Sequence, residues 1–361
     1  MIIESIELKN YRNYKELHME FNQGTNILYG DNAQGKTNIL EAIYVSCTSK
    51  SHKSAKDRDI IRFNQDESHI KLQIRKNDVP YRIDMHLKKN KPKGIAINGV
   101  PTRKASDLFG IANVVFFSPE DLNIIKNGPA ERRRFVDMEL CQLNKLYVYS
   151  LVQYNKVLLQ RNKLLKELFF KPEYEGTLDV WDMQMVNYGR EVIRYRKEFI
   201  RQLNDIIRDI HLKLSGNKEE IVISYEPCNQ EDQLEEALKK GRFQDMKQKT
   251  TLSGPHRDDI NFMVNGIDIR KFGSQGQQRT AALSLKLSEL ELVKLLSHDD
   301  PILLLDDVLS ELDGSRQNHL LSAIKHIQTV ITCTGLDDFV NNRFRIDKIF
   351  KVIDGMVINE N

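Results

Sequence analysis

The chain has 361 residues, 40% hydrophobic and 29% charged, with a formal net charge of +3 at neutral pH. That balance excludes a disordered chain and leaves room for two domains of about 150 residues each. No stretch approaches the ~18 apolar residues of a membrane helix, and any affinity for nucleic acid must come from local basic patches rather than the total charge.

The N-terminus, MIIESIELKN, lacks a basic region followed by an apolar core, so no secretory leader is expected and the chain reads as cytoplasmic. Cys47, Cys141, Cys228 and Cys333 are far apart and form no C-x-x-C pair. That spacing suits thiols in a reducing compartment better than disulfides or zinc ligands. Segments 2–14 and 17–30 read as strands, the second stopping at Gly30. Residues Gly30, Asp31, Asn32, Ala33, Gln34, Gly35, Lys36 and Thr37 then spell G-D-N-A-Q-G-K-T, a phosphate-binding loop. Ile39, Leu40, Ile43 and Tyr44 follow at helical spacing, so the loop lies between a strand and a helix, the context such a loop requires. Its backbone N–H groups and the helix N-terminus can cradle phosphate oxygens. Lys36 would reach the β- and γ-phosphates of ATP and Thr37 would offer its hydroxyl to Mg²⁺. Asn32 and Gln34 could only tune the loop, and Asn38 completes the expected nucleotide site.

Residues 68–99 alternate apolar and polar, as antiparallel strands with short turns do, and 113–117 (NVVFF) reads as a buried strand. Helical periodicity dominates 126–215, as two long helices joined by a short loop. That segment holds 17 Lys and Arg against 12 Asp and Glu. Strands return near Asn265-Gly266, a hairpin dipeptide, and a helix is expected over 277–296. In the run ILLLDD (302–307) an apolar, buried parallel strand delivers Asp306 and Asp307 at its carboxyl end. Alone it would be a strand ending in an acidic turn. After a phosphate-binding loop, Asp306 is placed to hold Mg²⁺ through water and Asp307 to polarise the attacking water, which makes Lys36, Asp306 and Asp307 the candidate catalytic residues.

A second anion-binding element, FGSQGQQRT (272–280), opens the late helix with Ser274, Gly276 and Gln277. A plain helix cap would explain it too. One chain has no use for two phosphate cradles unless the second closes on the nucleotide of another molecule. The element resembles the signature motif of ABC-type ATPases, with Gln275 where Gly is usual, and SELDGSRQ (310–317) resembles the D-loop of such enzymes.

Together with LKNYRNY (8–14), SKSHK (49–53), FSPEDLNIIKNGPAERRRFVD (117–137) and LSGPHRDD (252–259), these motifs run in order along essentially the whole chain. The chain resembles the RecF family of bacterial recombination and repair proteins, relatives of SMC-type heads. The resemblance implies an α/β fold: a P-loop ABC-type ATPase head with an antiparallel β subdomain and a helical second lobe. The expected boundaries are 1–125 for the N-terminal ATPase part, 126–250 for the helical lobe with a short helical hairpin, and 251–361 for the motifs completing the ATPase lobe. It further implies an ATP-dependent homodimer that binds DNA at gaps, works with RecO and RecR to load RecA, and supports replication and SOS induction. In such a dimer Lys36, Thr37, Asp306 and Asp307 of one copy face Ser274 and Gly276 of the other, and Arg12 lies near the phosphates. Arg12 is equally well read as a surface charge.

Three departures point to a slow switch. Asp307 is one methylene shorter than the usual Glu, which should place the water less well. Thr332 and Thr334 stand where a switch His is expected. No Q-loop Gln can be placed, with Glu120 in the plausible region. For DNA, Lys88, Lys89, Lys91 and Lys93, then Arg132, Arg133 and Arg134, then Arg190, Arg194, Lys197 and Arg201 are candidate phosphate contacts, with a solvated face as the plainer reading of each. His256, Arg257, Asp258 and Asp259 read as a hydrogen-bonded turn as readily as a functional group. Two rival functions remain at this point. A transporter ATPase subunit conflicts with Gln275, Asp307 and the long helical insert, and a small-molecule phosphotransferase leaves the SQGQQ and SELD elements idle. A full-length SMC protein is excluded because the helices are too short for a long coiled coil.

Overall fold

The computed structural model describes residues 1–53, 56–336 and 345–360. The chain divides into two compact units, Met1–Asp121 with Glu289–Asn361, and Leu122–Ser288. The segment 251–288, expected with the ATPase lobe, groups with the helical unit. Backbone pairing explains this: strand Asp259–Val264 pairs along its whole length with Ile221–Glu226.

Among the described residues, the first unit carries two six-stranded sheets. One is antiparallel, in the order Tyr14–Glu20, Ile2–Tyr11, Glu67–Lys76, Val79–Lys88, Gly94–Ile97, Val100–Pro101. Its period-2 pattern is the expected one: Ser68, Ile70, Leu72 and Ile74 are buried while the residues between them are not. The other sheet runs Met356–Glu360, Lys348–Ile353, Thr25–Tyr29, Thr329–Cys333, Ile302–Asp306, Val114–Phe117. Its pairs are parallel except at the Met356–Glu360 edge. Strand Ile302–Asp306 is buried along its entire length, as a central parallel strand must be. Helix Lys36–Thr48 presents Ile39, Leu40, Ala42 and Ile43 to a core shared with both sheets.

In the second unit the two expected helices are three: Pro129–Leu143, Lys145–Glu167 and Leu178–Leu214. The break is Asn144, held extended at φ −141° and ψ 109°, whose side-chain oxygen accepts from the backbone N–H of Leu146 and Tyr147 and so caps the next helix. Apolar spacing continues through this point, which is why periodicity alone misses it. Helix Leu234–Gln248 shows almost no pattern, because only Leu234, Leu238 and Asp245 on it are buried. Arg161, fully buried, joins the helices by bonding Asp182 at 2.6 Å and Asp245 at 2.7 Å. The Asn265-Gly266 hairpin forms as expected, with both residues at positive φ. The late helix runs Gln275–Ser297, slightly longer than its pattern.

Candidate nucleotide-binding site

Strand register assembles the site. Thr332 pairs with Asp306 on one side and with Leu28 on the other. The carboxyl ends of the Asp306 strand and of the strand feeding the phosphate loop therefore stand side by side, the place where open parallel sheets bind ligands. The loop then turns through Gly30, Ala33 and Gly35 at φ +147°, +65° and +110°. Two of these positions are sterically closed to larger residues. A Cβ at Gly30 would lie 2.4 Å from the Val352 carbonyl oxygen, and one at Gly35 would lie 2.4 Å from Asn13 Nδ2.

The loop is braced from outside. Asn13 Nδ2 donates to the Gln34 carbonyl (3.0 Å), Tyr14 Oη donates to the Gly35 carbonyl (3.0 Å), and Asn38 Nδ2 donates to Asn13 Oδ1 (2.8 Å). Gln34 Oε1 accepts from the Asp354 N–H at 2.5 Å. Gln34 and Asn38 thus spend their side chains on the scaffold, while Asp31 and Asn32 stay exposed at the tip. Lys36 Nζ donates to the carbonyls of Gly30 (2.5 Å) and Asp31 (2.7 Å). Burial lowers its pKa, and Asp307, Cys333, Asp306 and Asp31 partly restore the charged form.

Asp306 Oδ1 accepts from Thr37 Oγ1 (2.6 Å) and Thr332 Oγ1 (2.8 Å). Lys53 Nζ lies 3.8 Å from the other carboxylate oxygen. A hydroxyl paired with a carboxylate at the end of a phosphate loop is the donor set that holds Mg²⁺ in nucleotide-binding P-loops. Asp307 follows in a left-handed conformation, φ +53°. Its N–H donates to Thr332 Oγ1 at 3.0 Å, and Ser310 Oγ donates to its carbonyl (2.8 Å) and carboxylate (3.2 Å). Asp307, Ser310, Thr332 and Thr334 line a cavity of about 170 Å³, enough for several waters at about 30 Å³ each.

Arg12 belongs to the same frame. Its Nε and Nη2 grip Glu41 at 2.8 and 2.6 Å, and Nη1 donates to the Asp59 carbonyl at 2.7 Å. Glu41 is fully buried on the phosphate-loop helix and also accepts from Tyr11 Oη and Ser51 Oγ. Burial works against its charge, but the Arg12 and Ser51 hydrogen bonds prevail and keep its pKa below the usual value. Sequence reading missed Glu41, Thr332 as a carboxylate partner, and Lys53. A Glu within an otherwise apolar helical face was the signal available for the first; Lys53 lies in the SKSHK stretch and Thr332 at the switch position, but nothing local ties either to Asp306.

In the second unit, Ser274 and Gln277 form a reciprocal capping box on helix Gln275–Ser297: the Ser274 N–H donates to Gln277 Oε1 (3.0 Å) and the Gln277 N–H to Ser274 Oγ (3.2 Å). Gln277 Nε2 donates to Glu219 Oε1 at 3.0 Å. Ser274, Gln275 and Gly276 are exposed. A Cβ at Gly276 would meet nothing nearer than Ser274 Oγ at 3.9 Å, so this chain's own packing does not demand glycine there.

Several candidate DNA contacts are committed elsewhere. Arg132 is 1% exposed and bonds Asp259 through two nitrogens, at 2.6 and 3.0 Å, which removes it from any DNA surface. Arg133 donates to the Asp258 carbonyl. Arg190, Arg194 and Arg201 are paired with Glu235, Glu191 and Glu198, and Lys88, Lys89 and Lys93 with Glu67, Asp66 and Asp57. Lys91, Arg134 and Lys197 are exposed. The His256–Asp259 stretch is a hydrogen-bonded turn. His256 contacts Tyr154 Oη (2.7 Å) and the Thr251 carbonyl (3.0 Å), and Asp258 accepts from Arg196, Tyr225 and the Cys228 N–H. None of the four cysteines forms a disulfide, and Cys47, Cys141 and Cys333 are buried. Among the described residues no helix is long and apolar enough to cross a membrane.

The family model of the RecF/RecN/SMC N terminal domain matches residues 2–357. The structure of an Smc head bound to the C-winged helix domain of ScpA aligns with a TM-score of 0.58 at 16% identity, covering 100% of this chain and 98% of that one, a likeness of fold alone. The fold is thus that of an SMC-type P-loop head. At higher similarity stand the DNA replication and repair protein RecF of Lachnospira eligens, 62% identical over 100% of both chains, and a structure of the recombination mediator protein RecF with ATP, 34% identical, TM-score 0.94, covering 99% of this chain and 97% of that one. The chain belongs to the RecF family of DNA replication and repair proteins.

Proposed function

We propose that the chain is an ATP-dependent DNA-binding switch of recombinational repair that dimerises around nucleotide. ATP occupies the Gly30–Asn38 loop with its phosphates against the loop N–H groups and Lys36, and Arg12 near them. Mg²⁺ is held by Thr37 and, through water, Asp306, and Asp307 orients the attacking water. Ser274, Gly276 and Gln277 of a second copy close the site from the far side. The observation that carries this reading is the convergence of Lys36, Thr37, Asp306 and Asp307 at the carboxyl ends of neighbouring parallel strands; the exposed, capped signature helix, whose Gly276 has no partner demanding it within the chain, supports it.

In this reading ATP binding assembles the dimer on gapped DNA in the cytoplasm, where RecO and RecR act with it to load RecA, and slow hydrolysis releases it. A transporter ATPase subunit is not favoured: a relative matched over its full length is a DNA replication and repair protein.

The test is molar mass in solution with ATP–Mg²⁺ and without nucleotide, for the natural chain, Lys36→Met and Ser274→Arg. A dimer formed only with ATP and lost in both variants supports the reading. A monomer that hydrolyses ATP at full rate, indifferent to Ser274→Arg, overturns it in favour of a self-contained P-loop enzyme.

A further inference from the structure

The antiparallel sheet of the first unit has a face that the nucleotide site does not use. A cavity of about 880 Å³ lies on it, with Leu8, Lys9, His18, His69, His86 and Ile95 among its walls. Strand register puts His69 directly opposite His86. Glu67, two residues before His69, shares that face, since side chains of one strand alternate between faces.

The three side chains have come together. One ligand atom from each lies within 4.8 Å of the other two. His86 Nε2 is 3.0 Å from Glu67 Oε2, and His69 Nε2 is 3.8 Å from Glu67 Oε1. The imidazole rings stack with centroids 4.0 Å apart and planes 19° from parallel. Donors about 2.0–2.1 Å from one tetrahedral ion stand about 3.3 Å from each other, so the carboxylate contacts already bracket the required spacing. Stacked rings direct their lone pairs side by side, and one ring must turn about χ2 for both to face a single ion; that terminal torsion is broad and soft.

We infer that Glu67, His69 and His86 form a binding site for one divalent transition-metal ion, with zinc the best match. Two imidazole nitrogens and a carboxylate oxygen are a borderline donor set, suited to zinc and unlike the all-oxygen shells of magnesium or calcium. Three protein ligands leave a fourth position for water.

Two cations oppose the ion. Lys88 Nζ sits 3.1 Å from Glu67 Oε2, and Lys9 pairs with His69 from the neighbouring strand. The Lys88 bond joins two well-exposed side chains and contributes little, so a metal displaces it readily. A bound ion would clip strand Glu67–Lys76 to Val79–Lys88 and stabilise the folded state by linkage.

The experiment is a zinc titration of chelator-treated protein by calorimetry, with cobalt absorption reporting coordination, for the natural chain, Glu67→Gln and the double variant His69→Gln/His86→Gln. All three positions are part-exposed, and circular dichroism verifies that the sheet persists. One more zinc equivalent in the natural chain than in the double variant, at least tenfold weaker binding by Glu67→Gln, and a Tm raised by zinc only in the natural chain are expected. Equal zinc stoichiometry in the natural chain and the double variant overturns the inference, whether that stoichiometry is zero or reflects an ion elsewhere, such as at exposed Cys228.

Discussion

Asp307 combines a strained backbone with a candidate chemical role. Its left-handed φ is one that Asp and Asn tolerate better than most residues, and Thr332 and Ser310 hold it from both sides. Asp307→Asn therefore keeps shape and backbone while removing the charge that polarises water. ATP turnover should fall at least tenfold while the ATP-bound dimer persists longer; a steady-state ATPase assay with sizing after ATP addition reads both. A variant that turns over normally would move the base elsewhere.

His256 makes a second residue-scale test. Burial holds its pKa at about 4, well below the ordinary 6.5. Its Nε2 faces the Thr251 carbonyl, which only accepts, so the neutral ring donates there and accepts from Tyr154 at Nδ1. Because the folded pKa is depressed, the unfolded chain binds the proton first as pH falls. The stabilising contribution is complete above about pH 6.5 and is lost progressively down to about pH 4, amounting to at most about 3 kcal/mol. Denaturant midpoints of the natural chain should therefore fall more steeply over that window than those of His256→Gln, and parallel curves would show that the histidine does not titrate there.

At the scale of elements, the buried Arg161 ties three helices of the second unit through Asp182 and Asp245. Arg161→Leu leaves Asp245 without its guanidinium, while Asp182 retains Arg242 at 2.7 Å. The expected cost is about 3–5 kcal/mol, with much of it recovered in Arg161→Leu/Asp245→Leu; a double-mutant cycle of unfolding free energies measures this. Such ties explain what could be read from the chain beforehand. The phosphate loop and helix of residues 30–44, the buried ILLLD strand and the alternation of 68–99 announced themselves, because each follows from local period and turn chemistry; the expected strands 2–14 and 17–30 are instead Ile2–Tyr11, Tyr14–Glu20 and Thr25–Tyr29, the last in a different sheet from the other two. The break at Asn144 did not, since the apolar spacing runs on through it. Nor did the roles of Arg132 or Arg196, because a basic residue whose partner lies 127 or 62 positions away looks like a surface charge until the chain folds. At the site, the glycine spacing and the acidic pair were legible, whereas Thr332 reached Asp306 only through strand pairing.

For the molecule as a whole, the distribution of charge matters more than its sum. Residues 126–215 hold 17 basic and 12 acidic side chains in a chain whose total is +3. The paired arginines within this segment still contribute to its field, but they release few counterions on meeting a phosphate, so in the proposed reading DNA affinity rests on groups such as Lys197 and is modest for one copy. The proposed ATP-bound dimer would present two such segments. If both meet one DNA, the number of phosphates neutralised doubles, and the slope of log affinity against log salt, about −0.9 per contact on duplex DNA, doubles with it. Binding isotherms across a salt series should show this steepening with ATP–Mg²⁺, and Lys197→Glu should flatten the ATP-bound slope by about twice the change it causes without nucleotide. A slope indifferent to ATP would mean that only one copy touches the DNA, and would assign the dimer to timing rather than to grip.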